Sequence, residues 1–67
     1  MKNRVEQLRK EMGLSQEEFA RALRVSRPTV SSIENGKYNP SVELAFQIAD
    51  FFQKTIEELF LWKENDQ

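Results

Sequence analysis

The sequence contains no cysteine and no histidine, and its 67 residues include only two glycines and two prolines. Without cysteine there is no disulfide, thiol nucleophile or zinc–thiolate site, and without histidine there is no imidazole base or ligand. No apolar run approaches the roughly 18 residues of a membrane span, and the N-terminus does not resemble a signal peptide. We therefore expect a single cytoplasmic domain with no membrane association, metal, cofactor or small-molecule ligand.

Charge is nearly balanced over the whole chain but is unevenly distributed. The net charge is -1, which by itself argues weakly against a nucleic-acid partner. Residues 1–40, however, carry eight Lys or Arg and five Glu, whereas residues 41–67 carry two Lys and six acidic residues. This separation predicts a basic N-terminal surface that faces phosphates and binds them with strong salt dependence.

Local start and stop signals predict three short helices in the first half of the chain. The apolar residues Val5, Leu8 and Met12 follow a helical spacing and precede Gly13, which predicts a first helix over residues 2–12. The run Ser15-Gln16-Glu17-Glu18 is a capping box that opens a second helix, which ends near Arg24. Ser26 caps the next helix, residues 27–34, whose first turn accommodates Pro28.

Two further helices are predicted after the turn at residues 35–40. Ser41 caps a fourth helix whose apolar residues are Leu44, Ala45, Ile48, Ala49, Phe51 and Phe52, and Thr55 to Glu58 form a second capping box. The fifth helix carries Ile56, Leu59 and Phe60. The sequence thus predicts an all-α, compact five-helix fold in a single domain over residues 1–67, with a core at 4–60, a helix-turn-helix at 15–35 and a tail at 61–67.

The third helix has an unusual outer face. Val30 and Ile33 point together toward the interior, whereas Pro28, Ser31 and Ser32 point away from it, with Arg27 at the margin. A helix whose outer face is only solvated favours Glu, Lys and Ala over Ser, Thr and Pro, so this composition indicates a DNA-binding helix. The alternative is that the second and third helices form an ordinary helical hairpin. Short side chains allow a helix to lie deep in a DNA groove, where Thr29 or Pro28 can contact a thymine methyl.

Residues 4–60 resemble the Xre/Cro-type, lambda-repressor-like helix-turn-helix domain. The residues that carry the resemblance are Leu8-Arg9, Leu14-Ser15-Gln16, Phe19-Ala20, Val25-Ser26, Val30, Ile33-Glu34-Asn35-Gly36 and Pro40. The resemblance implies a lambda-repressor-like fold in which the third of five helices lies in the major groove of double-stranded DNA.

The resemblance also implies roles for individual residues. Gln16 and the amide at the start of the second helix would anchor to phosphate, residues 37–39 would grip the DNA backbone, and Arg9 would pair with Glu34. The predicted DNA-binding residues are Ser15, Gln16, Ser26, Arg27, Pro28, Thr29, Ser31, Ser32, Lys37, Tyr38 and Asn39.

Two residues depart from the family pattern. Arg24 stands where a glycine usually provides a left-handed turn residue, which predicts backbone strain at this position. Pro28 stands where several relatives carry a glutamine that pairs with adenine, so specificity depends more on Arg27. The Arg27 guanidinium either reads a guanine or holds a phosphate, and the sequence leaves both possibilities open.

Several large apolar residues near the C-terminus are left over once the core is assigned. Phe46, Ile56, Phe60, Leu61 and Trp62 are predicted to form a dimer interface, the alternative being that Trp62 folds back onto the core. Two copies related by a twofold axis would read half-sites one helical turn apart.

The leading functional hypothesis is a homodimeric, sequence-specific transcriptional regulator, most simply a repressor, that binds a palindromic or near-palindromic operator. The alternative is a protein-interaction module of the antitoxin or anti-repressor type, which would bind a regulatory protein through Phe46 and Trp62 with auxiliary DNA contacts. An enzyme is not expected, because the carboxylate pairs Glu17-Glu18 and Glu57-Glu58 fit capping boxes and no nucleophile or metal ligand adjoins them.

Overall fold

The computed structural model describes residues 2–61, and this part of the chain folds into five helices. They are α1 (Val5–Glu11), α2 (Gln16–Leu23), α3 (Arg27–Glu34), α4 (Val42–Phe52) and α5 (Ile56–Leu59). The all-α, five-helix prediction is confirmed. Within the described range, no helix has the length and apolar character needed to cross a membrane.

Four of these helices begin at the hydroxyl residues that the sequence indicates. Each hydroxyl accepts a hydrogen bond from the backbone N–H three residues later, which satisfies a donor that lacks a partner in the first helical turn. The pairs are Ser15 with Glu18, Ser26 with Thr29, Ser41 with Leu44 and Thr55 with Glu58. In both capping boxes the glutamate carboxylate also accepts the backbone N–H of the cap residue, at 2.8 Å.

The first helix begins at Val5, so the predicted start at residue 2 is wrong. The side chain of Asn3 accounts for the difference, because its Oδ1 accepts the backbone N–H of Val5 at 3.0 Å. Its Nδ2 donates to the carbonyl oxygen of Ile33 at 2.8 Å. Asn3 therefore ends the extended N-terminal segment and ties it to the last turn of α3.

A terminal pairing, formed by residues 2–4 and residues 59–61, joins the two ends of the described chain. Asn3 and Phe60 form an isolated antiparallel bridge. The backbone N–H of Arg4 donates to the Leu59 carbonyl and that of Leu61 to the Lys2 carbonyl, both at 2.9 Å. Lys2 and Asn3 therefore lie outside α1, and Arg4 is the N-cap residue of that helix.

Arg24 adopts the left-handed conformation that the sequence predicts for it, with φ +62° and ψ +42° at the end of α2. Gln53 at the end of α4 does the same, with φ +57°. A side chain with a Cβ atom is strained in this region, and glycine is the residue that adopts it freely. Two of the tight turns in this domain are therefore made without glycine.

The core lies between α2, α3 and α4 and is closed by α1 and α5. Phe19 of α2 packs against Phe51 and Phe52 of α4, with ring centroids 5.3 and 5.2 Å apart. The buried apolar residues are Val5, Phe19, Ala20, Leu23, Val30, Ile33, Leu44, Ile48, Ala49, Phe52, Leu59 and Phe60. Because Val30 and Ile33 are in this set, one side of α3 is fixed inward and its other side faces away from the core.

Candidate nucleic-acid interface

The N-terminal half of α3 is the most exposed part of the helix-turn-helix. Arg27 and Pro28 are exposed, whereas Ser31 and Ser32 are half-buried. Because the side chains on this side of α3 are small, little projects beyond its backbone. The helix can therefore approach the floor of the DNA major groove closely. Arg27 is the one long side chain that projects from it.

The hydroxyl groups at the start of α3 are already paired with each other. Ser26 Oγ accepts the backbone N–H of Thr29 at 3.2 Å and lies 2.8 Å from Thr29 Oγ1. At the start of α2, Ser15 Oγ likewise accepts the N–H of Glu18 at 3.0 Å. The hydroxyls of Ser15 and Ser26 are therefore used as helix caps, and the Thr29 side chain combines a hydroxyl that contacts Ser26 with an apolar methyl group.

The hydrogen bonds of the Ser15 capping box also change the pKa of the Glu18 carboxyl. They lower the pKa of the Glu18 carboxyl below its ordinary value, because both the Ser15 backbone N–H and its hydroxyl hydrogen-bond the ionised form. Hydrogen bonds with Thr55 lower the pKa of Glu58 for the same reason. These carboxylates belong to the capping boxes at the starts of α2 and α5.

The turn after α3 is held against the last turn of that helix. The Ser32 carbonyl accepts the backbone N–H groups of both Lys37 and Tyr38 at 3.1 Å, and Asn35 Oδ1 accepts the N–H of Lys37 at 3.0 Å. The side chains of Lys37, Tyr38 and Asn39 are exposed. The structure thus brings these three predicted backbone-gripping residues to the C-terminal end of α3.

A buried polar network connects α1, α2 and α3 behind this surface. The Arg9 guanidinium contacts both oxygens of the Glu34 carboxylate, Nε to Oε2 at 2.7 Å and Nη2 to Oε1 at 3.3 Å. Its Nη1 also donates to the carbonyl oxygen of Leu14 at 2.6 Å, just before α2. The ion pair that the resemblance implies is therefore present, and it joins three elements of the domain.

Gln16 is part of the same network, although the sequence predicts only a phosphate contact for it. Its Nε2 donates to Glu34 Oε1 at 3.0 Å. A primary amide nitrogen carries two N–H groups, so one N–H of Gln16 remains for another acceptor. The contact spans two helices, and the only sequence signal for it is the placement of both residues in the helix-turn-helix motif.

The charge of this region is almost entirely positive. Between Phe19 and Val42 the sequence contains one acidic residue, Glu34, and four basic residues: Arg21, Arg24, Arg27 and Lys37. The Glu34 side chain is 3% exposed and its charge is balanced by Arg9. Arg21 lies 3.9 Å from the exposed carboxylate of Glu17. The other exposed charges of this segment are the cations Arg24, Arg27 and Lys37, which suit binding to a polyanion.

The predicted dimer residues lie in different environments. Phe46 is 60% exposed, whereas Phe60 is 8% exposed and belongs to the core, so Phe60 offers little surface to a partner. Ile56 and Leu61 are half-buried, and Trp62 lies outside the described residues. Val42, which is not among the predicted residues, is 73% exposed one helical turn before Phe46, and the spacing of four residues indicates a shared face.

A groove runs between α4 and α5 beside Phe46. It has a volume of about 670 Å³ and is lined by Phe46, Ala49, Asp50, Lys54, Thr55, Ile56 and Glu57. Charged residues of both signs border its apolar centre. This surface is distinct from the cationic surface of α3.

Comparison with known proteins agrees with this architecture. The helix-turn-helix family model matches residues 5–59. An uncharacterized HTH-type transcriptional regulator of Methanocaldococcus jannaschii is 46% identical over 66 residues, which cover 98% of this chain and 100% of the relative. The HTH-type transcriptional regulator YgzD of Bacillus subtilis is 42% identical over 66 residues, with 98% of each protein covered.

A longer relative shares the same domain. The HTH-type transcriptional activator BcrR of Enterococcus faecalis is 41% identical over 61 residues, which are 91% of this chain and 30% of BcrR. The family consists of regulators and not of enzymes. The match over residues 5–59, together with relatives similar along their whole length, shows that the chain belongs to the Xre/Cro-type helix-turn-helix family of DNA-binding transcriptional regulators.

Proposed function

We propose that this protein is a homodimeric repressor that binds a palindromic or near-palindromic operator, with α3 of each copy in the major groove. The observation that carries the proposal is the cationic surface around α3, where the exposed Arg27 and Pro28 lie between the start of α2 and the turn at residues 37–39. These elements can contact one groove and the phosphates on its two sides.

In this proposal, Arg27 is the main residue that recognises the base sequence of the operator. Its guanidinium is exposed at the start of α3 and has the geometry to donate two hydrogen bonds to the O6 and N7 atoms of guanine. Such a contact discriminates between bases by about 1–3 kcal/mol. Gln16, through its second amide N–H, and Lys37, Tyr38 and Asn39 would position the domain on phosphates.

A second copy is proposed because one small module makes limited contact with DNA, burying about 600–1,000 Å². The groove beside Phe46 is a suitable place for the contact, since it combines apolar residues with Asp50, Glu57 and Lys54. In a twofold contact each Lys54 can meet an acidic residue of the other copy. Half-sites about 34–36 Å apart would follow from such an arrangement.

Repression is proposed because occupying promoter DNA requires only the DNA-binding surface described above. Activation requires a further contact with another protein. BcrR, which is named an activator, has room for such a contact, because the match covers only 30% of its length. The proposed site of action is the cytoplasm, where promoter DNA is accessible.

The test is a selection of bound duplexes from a random DNA pool at about 150 mM salt, followed by sequencing. Enrichment of a twofold-symmetric sequence, lost in the Arg27→Ala, Ser32→Ala double variant, is the expected result. An asymmetric site would refute the dimer on DNA. Absence of any enriched sequence would favour the protein-interaction alternative, with the Phe46 surface as its binding site.

The oligomeric state is tested separately by sedimentation of the free protein and of its DNA complex. Lys54→Glu is expected to weaken the dimer, and combining it with Glu57→Lys is expected to restore it if these residues meet across the twofold axis. Lys10→Glu, on an exposed face of α1, is the matched control. A wild-type monomer in both samples would contradict the proposed assembly.

A further inference from the structure

A shallow depression lies between the exposed side of α3 and the turn that follows this helix. It has a volume of about 270 Å³ and is lined by Pro28, Thr29, Ser32 and Tyr38. Pro28, Thr29 and Ser32 belong to α3, and Tyr38 belongs to the turn that follows this helix. We propose that this depression receives the C5-methyl group of a thymine in the major groove, an inference that rests on the proposed binding of α3 to DNA.

The chemistry of the walls favours an apolar occupant. The ring of Pro28 has no hydrogen-bonding group, and the Thr29 side chain offers a methyl group beside a hydroxyl that already contacts Ser26 Oγ at 2.8 Å. Ser32 contributes a short side chain that leaves space, and Tyr38 contributes an aromatic ring that is 48% exposed. The thymine methyl is the one apolar group that the major groove of unmodified DNA presents.

The position of Tyr38 is fixed by the backbone. Its N–H donates to the Ser32 carbonyl at 3.1 Å, so the residue stays beside the last turn of α3. Arg27 precedes Pro28 and Lys37 precedes Tyr38, so each of these two lining residues has a cationic neighbour in the sequence. These cations attract the phosphates that flank a groove, while the apolar walls between them exclude water from a methyl group.

This arrangement gives Tyr38 a role in specificity. A residue that only grips phosphate would act through its hydroxyl, and its contribution would be the same for every sequence. A residue that walls a methyl pocket acts through its ring, and its contribution appears only where a thymine is present. The two roles are separated by Tyr38→Phe, which removes the hydroxyl and retains the ring.

The experiment replaces each thymine of the selected operator in turn by deoxyuridine, which removes only the C5-methyl group. The dissociation constant is measured for the wild type and for Thr29→Ser, Tyr38→Ala and Tyr38→Phe. Thr29→Ser is the matched variant, because serine keeps a hydroxyl for Ser26 and lacks the methyl. All the changed residues are outside the core, and a circular dichroism melt checks that each variant is folded.

We expect one thymine per half-site at which deoxyuridine weakens wild-type binding about fourfold, the factor that corresponds to burying one methyl group. The factor should persist in Tyr38→Phe and fall below twofold in Thr29→Ser and Tyr38→Ala. The inference is overturned if no thymine shows the effect, or if the factor is equal in all four proteins. Specific binding without a deoxyuridine effect would refute the pocket alone, whereas the absence of any selected operator would refute the proposed function as well.

Discussion

The buried pair of Arg9 and Glu34 gives the sharpest prediction for stability. The two side chains are 8% and 3% exposed. In Glu34→Ala the guanidinium keeps the Leu14 carbonyl as a close partner, and the next carboxylate, that of Glu6, is 3.9 Å away and half exposed. Removing one member of a buried ion pair costs about 3–5 kcal/mol, because the remaining charge is left without compensation.

That cost is large for a domain of this size. A native protein is stabilised by about 0.05–0.15 kcal/mol per residue, which for 67 residues gives about 3–10 kcal/mol. The substitution would therefore remove between a third and all of the free energy of unfolding. We expect Glu34→Ala to have a much lower free energy of unfolding than the wild type, and to be largely unfolded where the wild type lies near the lower end of this range.

Urea denaturation followed by far-ultraviolet circular dichroism measures the effect. The exposed pair of Arg21 and Glu17 provides a control, since its atoms are 3.9 Å apart and both side chains are more than 70% exposed. Glu17→Ala is expected to cost no more than about 1 kcal/mol. A second control removes both charges, Arg9→Met with Glu34→Leu, and is expected to be more stable than either single charge removal.

Two results would contradict the prediction that Arg9 and Glu34 stabilise the fold as a buried ion pair. One is a Glu34→Ala protein as stable as Glu17→Ala, which would mean that the Arg9 charge is solvated in place. The other is a double replacement whose cost equals the sum of the single replacements, which would mean that Arg9 and Glu34 act independently.

Three further predictions concern the turn, the helix cap and the DNA surface. Arg24→Gly is expected to raise the free energy of unfolding by up to about 1 kcal/mol in urea denaturation, because glycine adopts φ +62° without strain; a loss of stability would show that the Arg24 side chain makes a stabilising contact. The folded pKa of Glu18 is lowered, so its stabilisation is present above the ordinary value of 4.5 and is lost as the pH falls through the folded pKa. Ser15→Ala should reduce this acid sensitivity in urea titrations at a series of pH values, and an unchanged pH profile would contradict the assignment. Arg27→Ala should reduce discrimination between operator and random DNA by about 1–3 kcal/mol. Lys37→Ala should weaken binding to all duplexes alike and reduce the salt slope by about 1, and selective loss of operator binding would instead make Lys37 a base-reading residue.

The parts of this fold that sequence predicts well depend on residues close together in the chain. The Ser15 and Thr55 capping boxes each act over three residues, so the sequence shows both the donor and the acceptor. The inward positions of Val30 and Ile33 follow from helical spacing alone. The starts of α2 to α5 and the orientation of α3 could therefore be predicted without a structure.

The features that were missed depend on distant contacts or on irregular backbone. Asn3 meets Ile33 across 30 residues, and no local pattern indicates that this contact replaces the first turn of α1. Gln53 is left-handed without a glycine to mark the position. Phe60 follows α5 in an extended conformation, φ -110° and ψ +104°, so helical spacing does not describe its direction and its side chain enters the core.

At the candidate DNA surface, too, features set by local spacing could be predicted, and features set by distant contacts could not. Arg27 and Pro28 are exposed as the outer face of α3 requires, because helical geometry decides their direction. The Gln16–Glu34 hydrogen bond joins residues 18 positions apart. The depression beside Tyr38 depends on how the turn after α3 folds back, which the turn residues alone do not specify.

The terminal pairing of residues 2–4 with residues 59–61 bears on the order in which the domain folds. Its partners are the most distant in the described chain, and the entropy lost in closing a loop increases with loop length. We therefore expect this pairing to form last and to open first. Hydrogen exchange would then label the amides of Arg4 and Leu61 before those of Val30 and Ile33, so the ends of the chain can separate while the DNA-reading helix stays folded.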